Sequence, residues 1–190
     1  MYLKAPSGVG KTTLAKTVMG LVQAERFAAQ VNSLTLDERT PMHTWRKRIW
    51  GRKMTLVFQH ADEALNLESS VRSVFAGLPS LKGKPQEELL RVLRELFDEF
   101  DEGFLNRKVK HLSGGQKQRL NLLRGFALDC DVLILDEPLN GLDFESAGKV
   151  IGMIQRKQAS GKALLLISHD EEIFDRVVTP EHTYYLRAET

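Results

Sequence analysis

Cysteine is almost missing from this chain. A single residue, Cys130, stands among 190, which excludes an internal disulfide and a cysteine-built metal cage. Next to an apolar run it is expected to be a small, inert, buried side chain. Long apolar runs are missing as well: none approaches the ~18–20 residues that cross a bilayer. A secretory leader is not expected, since Lys4 is followed at once by a glycine-rich loop. Nor is there charge of one sign, because 27 basic and 25 acidic residues leave a net charge of +2. Composition alone therefore does not call for nucleic acid. Repeats and low-complexity stretches are lacking too. What is present is 42% hydrophobic residues in 190, enough for one core with an inserted subdomain. The expectation is a reduced, cytosolic α/β domain.

Two stretches carry phosphate chemistry. Met1-Tyr2-Leu3 is at most the end of a strand, and it runs into Ala5-Pro6-Ser7-Gly8-Val9-Gly10-Lys11-Thr12-Thr13. A helix is predicted next, with Leu14, Val18, Leu21 and Val22 on one face. Strand, glycine loop and helix are the context a phosphate-binding P-loop requires. Ala5 takes the first glycine position of the pattern, while Gly10, Lys11 and Thr12 keep the others, and Gly8 adds freedom where amides converge on phosphate. The second stretch runs from His111 to Pro138. Leu112-Ser113-Gly114-Gly115-Gln116 is a glycine turn opening a helix, whose N-terminus presents free N–H groups and positive dipole. Val132-Leu133-Ile134-Leu135 is then a continuous apolar run ending in Asp136-Glu137, as when a strand buried on both faces delivers carboxylates to a sheet edge.

Between these lie less specific segments. Residues 31–53 are polar and end in the cationic, tryptophan-bearing run Trp45 to Lys53. That run is either a solvated connection or a nucleic-acid patch combining charge with stacking. Met54 to Phe58 is a predicted strand with Gln59 at its end. Residues from about Ala61 to Lys110 are predicted helical, with Pro85 at a helix start and Leu89, Leu90, Leu93, Leu96, Phe97 and Phe100 as an apolar stripe. Glu87–Arg91, Arg91–Glu95 and Arg94–Asp98 have the spacing to pair across turns. After a turn at Pro138-Leu139-Asn140-Gly141 and a further helix, Ala163 to Ile167 is another buried strand closed by Ser168-His169-Asp170, and Tyr184-Tyr185-Leu186 allows one short strand more.

Leu112 to Gln116, followed at this interval by an apolar strand and Asp136-Glu137, resembles the ATP-binding cassette (ABC) ATPases. The resemblance covers almost the whole chain and keeps the family's order: P-loop, Gln59 as Q-loop, the Ser113 to Gln116 signature, Asp136-Glu137, Leu142-Asp143 as D-loop and His169 as H-loop. It implies an α/β P-loop NTPase fold, a mainly parallel sheet flanked by helices with an inserted helical subdomain. The single domain would have its nucleotide-binding core in 1–60 and 126–190 and a helical signature subdomain over about 61–125. The chain begins four residues before the P-loop, so the family's N-terminal antiparallel β region is expected to be largely missing. With it would go the aromatic that stacks on adenine, for Tyr2 lies too near the loop to replace it. Such stacking is worth about 1–3 kcal/mol, or a roughly ten- to hundredfold difference in affinity.

The resemblance also implies cofactors, roles and partners. ATP and Mg²⁺ are expected. Ser7, Gly8, Val9, Gly10, Lys11, Thr12 and Thr13 would hold the phosphates, with Thr12 and Gln59 completing the Mg²⁺ shell and Asp136 orienting that ion. Glu137 would be the general base on the attacking water, and His169 would keep the γ-phosphate and water in line. Ser113, Gly114, Gly115 and Gln116 would cap the nucleotide of a second cassette, with Asp143 communicating across that interface. The implied assembly is two cassettes, alike or different, driving a transmembrane permease. The chain would be cytoplasmic and peripheral at the inner face of the membrane through that permease, without inserting itself, and nucleic acid is not favoured. Arg48 to Lys53, Phe58-Gln59 and Ala64-Leu65-Asn66 look like the dipeptide, oligopeptide and nickel importer branch, although Leu67 stands where that branch usually has proline. The alternatives are a non-transport ABC ATPase acting on a ribosome, nucleic acid or assembly complex, and a shortened cassette with weak or no hydrolysis.

Overall fold

Apolar runs of four or five residues become strands here, mostly buried, as expected where both faces of a sheet are covered. The computed structural model describes residues 1–4, 6, 8–81, 85–101 and 103–186. In chain order its strands are β1 (Tyr2–Lys4), β2 (Ala28–Val31), β3 (Leu34–Asp37), β4 (Met54–Val57), β5 (Val132–Asp136), β6 (Ala163–Ile167) and β7 (Thr183–Tyr185). Its α-helices are α1 (Lys11–Val18), α2 (Met42–Thr44), α3 (Ala61–Ala64), α4 (Val71–Val74), α5 (Pro85–Leu93), α6 (Gly114–Ala127), α7 (Phe144–Ala159) and α8 (Glu171–Phe174). Among the described residues no helix is long and apolar enough to cross a membrane.

The chain divides into two compact units. The first comprises 1–56, 130–137 and 161–190. Its sheet has the order β4-β5-β6-β1-β7, with β5–β6, β6–β1 and β1–β7 all parallel. Tyr2 to Lys4 are thus not the frayed end of a strand but a strand flanked on both sides. Leu3, Ala15, Met19, Trp45, Ile49, Met54, Ile134 and Ile167 form a shared core. β2 and β3 make a separate antiparallel pair around Asn32, whose φ is 53°. Residues 31–53, polar and mixed in sequence, contain strand β3 and, over Trp45–Ile49, a π-helical turn. Asn32 fixes the tight turn because asparagine tolerates the left-handed region.

Helix α1 stops at Val18, before the predicted apolar face is complete, so Leu21 and Val22 lie outside it and are exposed. Gly20 is the cause. Its φ is +65°, and a Cβ there would sit 2.3 Å from Trp45 Cε2, so the chain turns where only glycine fits over the indole.

The second unit comprises 57–129 and 138–160 and is helical. Within it α6 buries Leu120, Leu122, Leu123 and Phe126, and α7 buries Val150, Met153 and Ile154. α5 ends at Leu93 rather than continuing to Phe100, yet Leu89, Leu93, Leu96 and Phe97 are all buried. The charges on this segment pair accordingly: Arg91 with Glu88 at 2.8 Å, Glu95 with Arg156 at 2.7 Å and Asp98 with Lys149 at 2.6 Å. The last two are contacts to α7 in place of the turn-to-turn pairs expected from spacing.

Candidate functional site

Parallel pairing decides which residues meet. Asp136 is in register with Ile167, and Ile167 with Leu3. The C-terminal ends of β5, β6 and β1 therefore emerge at one edge, where open α/β sheets bind ligands. β1 brings the glycine loop to that edge, β5 brings Asp136-Glu137 and β6 brings Ser168-His169.

The loop enters α1 through Gly10, held at φ 93°. Lys11 is buried, and its Nζ donates to the Pro6 carbonyl at 3.2 Å, inside the loop itself. Of the loop residues assigned to phosphate, Gly8, Val9, Gly10, Lys11, Thr12 and Thr13 are at this helix entrance, whereas Ser7 lies outside the described residues. The Thr12 hydroxyl donates to Asp136 Oδ2 at 2.6 Å, while Asp136 Oδ1 is buried and has no partner among the described residues. Burial pushes the Asp136 carboxyl above the usual carboxylate range, opposed by the Thr12 hydrogen bond. A buried carboxylate oxygen with an open lone pair beside a hydroxyl fits a divalent cation. So sparse a donor set suits Mg²⁺, whose shell is otherwise filled by phosphate oxygens and water.

Glu137 sits at φ 48°, a left-handed conformation uncommon outside glycine and asparagine. Its carboxylate is buried and well supplied with donors. The Ser168 hydroxyl donates to Oε2 at 2.9 Å, and the His169 amide donates to the same oxygen at 3.3 Å. His169 Nδ1 lies 2.9 Å from Oε1. The hydrogen bond to Glu137, reinforced by its charge, raises the His169 pKa, while most of that side chain remains exposed. The imidazole thus keeps Nδ1 on the carboxylate and leaves Nε2 available.

Three further residues brace this edge and were not singled out from the sequence. Ser168 holds Glu137. Tyr2, fully buried, donates its hydroxyl to the Ser168 carbonyl at 3.3 Å, and burial pushes its phenol up to about 12. Lys4, buried at the end of β1, lies 2.6 Å from Asp175 Oδ1 and 3.3 Å from Glu171 Oε2 on and just after α8. Those hydrogen bonds, Asp175 first, raise its pKa. A lysine where an inner strand wants an apolar residue is the one signal in the sequence that a partner carboxylate waits there.

The remaining candidates belong to the second unit. Gln59 follows β4 by two residues and is half-buried. Ser113 caps α6: its Oγ accepts from the Gln116 amide at 3.2 Å and the Gln116 side chain accepts from the Ser113 amide at 3.0 Å, a reciprocal capping box. Gly114 and Gly115 form the first turn of that helix. Asp143 caps α7, accepting from the Ser146 amide at 2.7 Å and its hydroxyl at 3.1 Å, and these bonds lower its pKa. Phe144, next to it, is 96% exposed.

A parallel sheet that brings a glycine loop, a threonine-paired aspartate and a glutamate–histidine pair to one edge defines a P-loop NTPase. The family described as ABC transporter matches residues 2–140, and the chain belongs to that family. An energy-coupling factor transporter ATP-binding protein, EcfA1, of Lacticaseibacillus paracasei is 34% identical over 166 residues, covering 86% of this chain and 57% of that protein. A manganese transport system ATP-binding protein, MntB, of Listeria monocytogenes is 30% identical over 172 residues, covering 87% and 66%. A Methanosarcina acetivorans relative is 33% identical over 180 residues, and there the chain spans 92% of itself but only 34% of the longer protein. The chain thus spans between about a third and two thirds of these relatives. A dimeric ATP-binding cassette in a post-hydrolysis state with ADP and Pi shares the fold, with a TM-score of 0.81 at 23% identity over 98% of this chain and 80% of the other. These relatives do not confirm the peptide and nickel branch.

Proposed function

We propose that this chain binds and hydrolyses ATP as the nucleotide-binding subunit of an ABC transporter. It works in a pair of cassettes at the inner face of the membrane and drives a separate permease. The observation that carries this reading is the single sheet edge where Thr12–Asp136 and Glu137–His169 stand together beside the entrance of α1.

The residues divide the work by their chemistry. Amides at the start of α1 and the Lys11 ammonium hold the β- and γ-phosphates, Lys11 exchanging the Pro6 carbonyl for phosphate oxygen. Thr12 and Asp136 would hold Mg²⁺. When bound, that ion neutralises charge on the phosphate oxygens. Glu137 is the general base for the attacking water. At rest its carboxylate accepts from Ser168 and the His169 amide through Oε2 and from the His169 ring through Oε1, which leaves Oε1 the oxygen with room for a proton. His169 is the donor placed to leave, being exposed and held through one nitrogen, and its imidazole then steadies the γ-phosphate. Positioning and charge neutralisation supply most of the catalysis in phosphoryl transfer. The self-capped Ser113 to Gln116 turn presents its amides to the nucleotide of a second cassette, and Asp143 and the exposed Phe144 belong to that same interface.

Phosphate release from ATP, followed for the unaltered chain and for Glu137→Gln, tests this directly. The variant is expected to retain ATP, to stop turning over and to accumulate as a dimer. Turnover at the unaltered rate would remove Glu137 from its role.

A further inference from the structure

The π-helical turn Trp45–Ile49 solves a packing problem and leaves a charged surface behind. Its closing bond runs from the Trp50 amide to the Trp45 carbonyl at 2.9 Å. Trp45 and Ile49, 3% and 0% exposed, anchor the two ends of the turn in the core. Everything between them, Arg46, Lys47 and Arg48, is turned outward and exposed, as is Arg52 three residues on. Lys53 is paired with Asp131 at 2.9 Å, but among the described residues none of these other four cations has a side-chain hydrogen bond or ion pair. No acidic residue occurs between Glu38 and Asp62. Four unpaired cations exceed the net charge of +2 of the whole chain, so the remainder is on balance acidic. The positive charge is gathered here and held on a fixed backbone.

Such a patch suits a polyanion, and the structure discriminates among polyanions. Single-stranded nucleic acid needs exposed aromatic faces on which bases stack. Trp45 is buried against the core, and Trp50 is half-buried with its indole N–H given to the Met19 carbonyl at 2.8 Å. The cytoplasmic loops of a permease are a poor match too, since such loops carry an excess of lysine and arginine. An anionic bilayer surface needs neither stacking nor a shaped groove; it needs clustered cations that stay exposed.

We propose that Arg46, Lys47, Arg48 and Arg52 form a docking surface for the anionic phospholipid headgroups of the membrane beside which the chain works. The transporter reading enters only in choosing a membrane as the neighbour. Each cation near an anionic surface is worth about a fivefold change in partition. Replacing Arg46, Lys47 and Arg48 together by glutamine should therefore lower binding to vesicles of phosphatidylglycerol and phosphatidylcholine roughly a hundredfold. All three side chains are solvent-exposed, so the fold should persist, as circular dichroism can verify. Cosedimentation of the full chain is expected to show binding to the mixed vesicles, little to pure phosphatidylcholine, and progressive release as salt is raised. Equal binding to both vesicle types, no binding to either, or unchanged binding by the triple variant would overturn the proposal. So would tighter binding to a mixed-sequence oligonucleotide than to the anionic vesicles. Phosphate release measured without vesicles should be the same for the triple variant and the unaltered chain. A chain that binds anionic vesicles but releases no phosphate would count against the ATPase reading and leave the docking surface standing.

Discussion

Glu137 and Ser113 are both polar residues at the end of a regular element, and both are central to the proposed chemistry, but they are held in opposite ways. Glu137 depends on Ser168 and His169, 31 and 32 positions away, and reaches them only because β5 and β6 pair in parallel register. Ser113 is held by Gln116, three positions away, through a cap that α6 makes from its own first turn. The first arrangement is a product of tertiary structure and the second of local sequence. A site on a chain's own sheet edge can be assembled in advance, whereas a turn proposed to serve another molecule must keep its shape unaided.

The strongest way to break this contrast is Glu137→Gln. If the assembled edge carries the chemistry, phosphate release should fall by about 10²–10⁴, the usual worth of a positioned acid or base, with nucleotide still bound. Ser168→Ala comes next. It removes a buried hydroxyl donor from a buried carboxylate, which should cost about 1.5–3 kcal/mol, read as a lower urea midpoint with slowed hydrolysis. A loss below a few tenths of a kcal/mol would mean that the edge does not depend on this contact. Ser113→Ala should cost only about 1 kcal/mol of stability, since one half of the cap is lost. Dimer formation in ATP that fell well beyond this loss would place Ser113 on a partner's nucleotide, and a proportionate fall would leave it a helix cap.

The smallest effect is a shift along the pH axis. Glu137 raises the folded-state pKa of His169 above its ordinary 6.5. The stabilisation from this pair is therefore fully present below pH 6.5 and disappears as pH rises through the elevated folded value. Titration of the His169 ring by NMR should give a midpoint above 6.5 that returns toward it in Glu137→Gln. A midpoint at or below 6.5 in the unaltered chain would mean that the pair is not formed.

What could be read from the sequence follows the same division. The glycine loop, the apolar β5 run with its two carboxylates, the Ser113 turn and the strand ending at Ser168-His169 are contiguous signals, and the strands lie where their apolar runs predict. Contacts made across the sheet were not legible. Ser168, Tyr2 and Lys4 acquire their roles from register, and only the oddity of a lysine at an inner-strand position hints at one of them. Leu21 and Val22 continued a helical pattern that Gly20 ends, because the constraint is Trp45 lying over the turn. The apolar stripe after Pro85 marked burial at Leu89, Leu93, Leu96 and Phe97, with Leu90 and Phe100 half-buried, but overstated helix length, since Leu96 and Phe97 reach the core from a turn. The β2–β3 pair was hidden by strands too short and too polar to stand out from a connection.

The place of β1 has a consequence for how the molecule is made. Tyr2 touches Ser168, 166 positions later, and β1 pairs with both β6 and β7. Closing so long a stretch of chain delays folding and leaves surfaces unpaired until it happens. During synthesis the strand that leads into the phosphate loop emerges well before β6 and β7 and waits for them to leave the ribosome. Until then the nascent chain has a nucleotide loop with no sheet to hold it and an apolar strand with both edges open. That interval, rather than any step of the chemistry, is when a chaperone has most to protect.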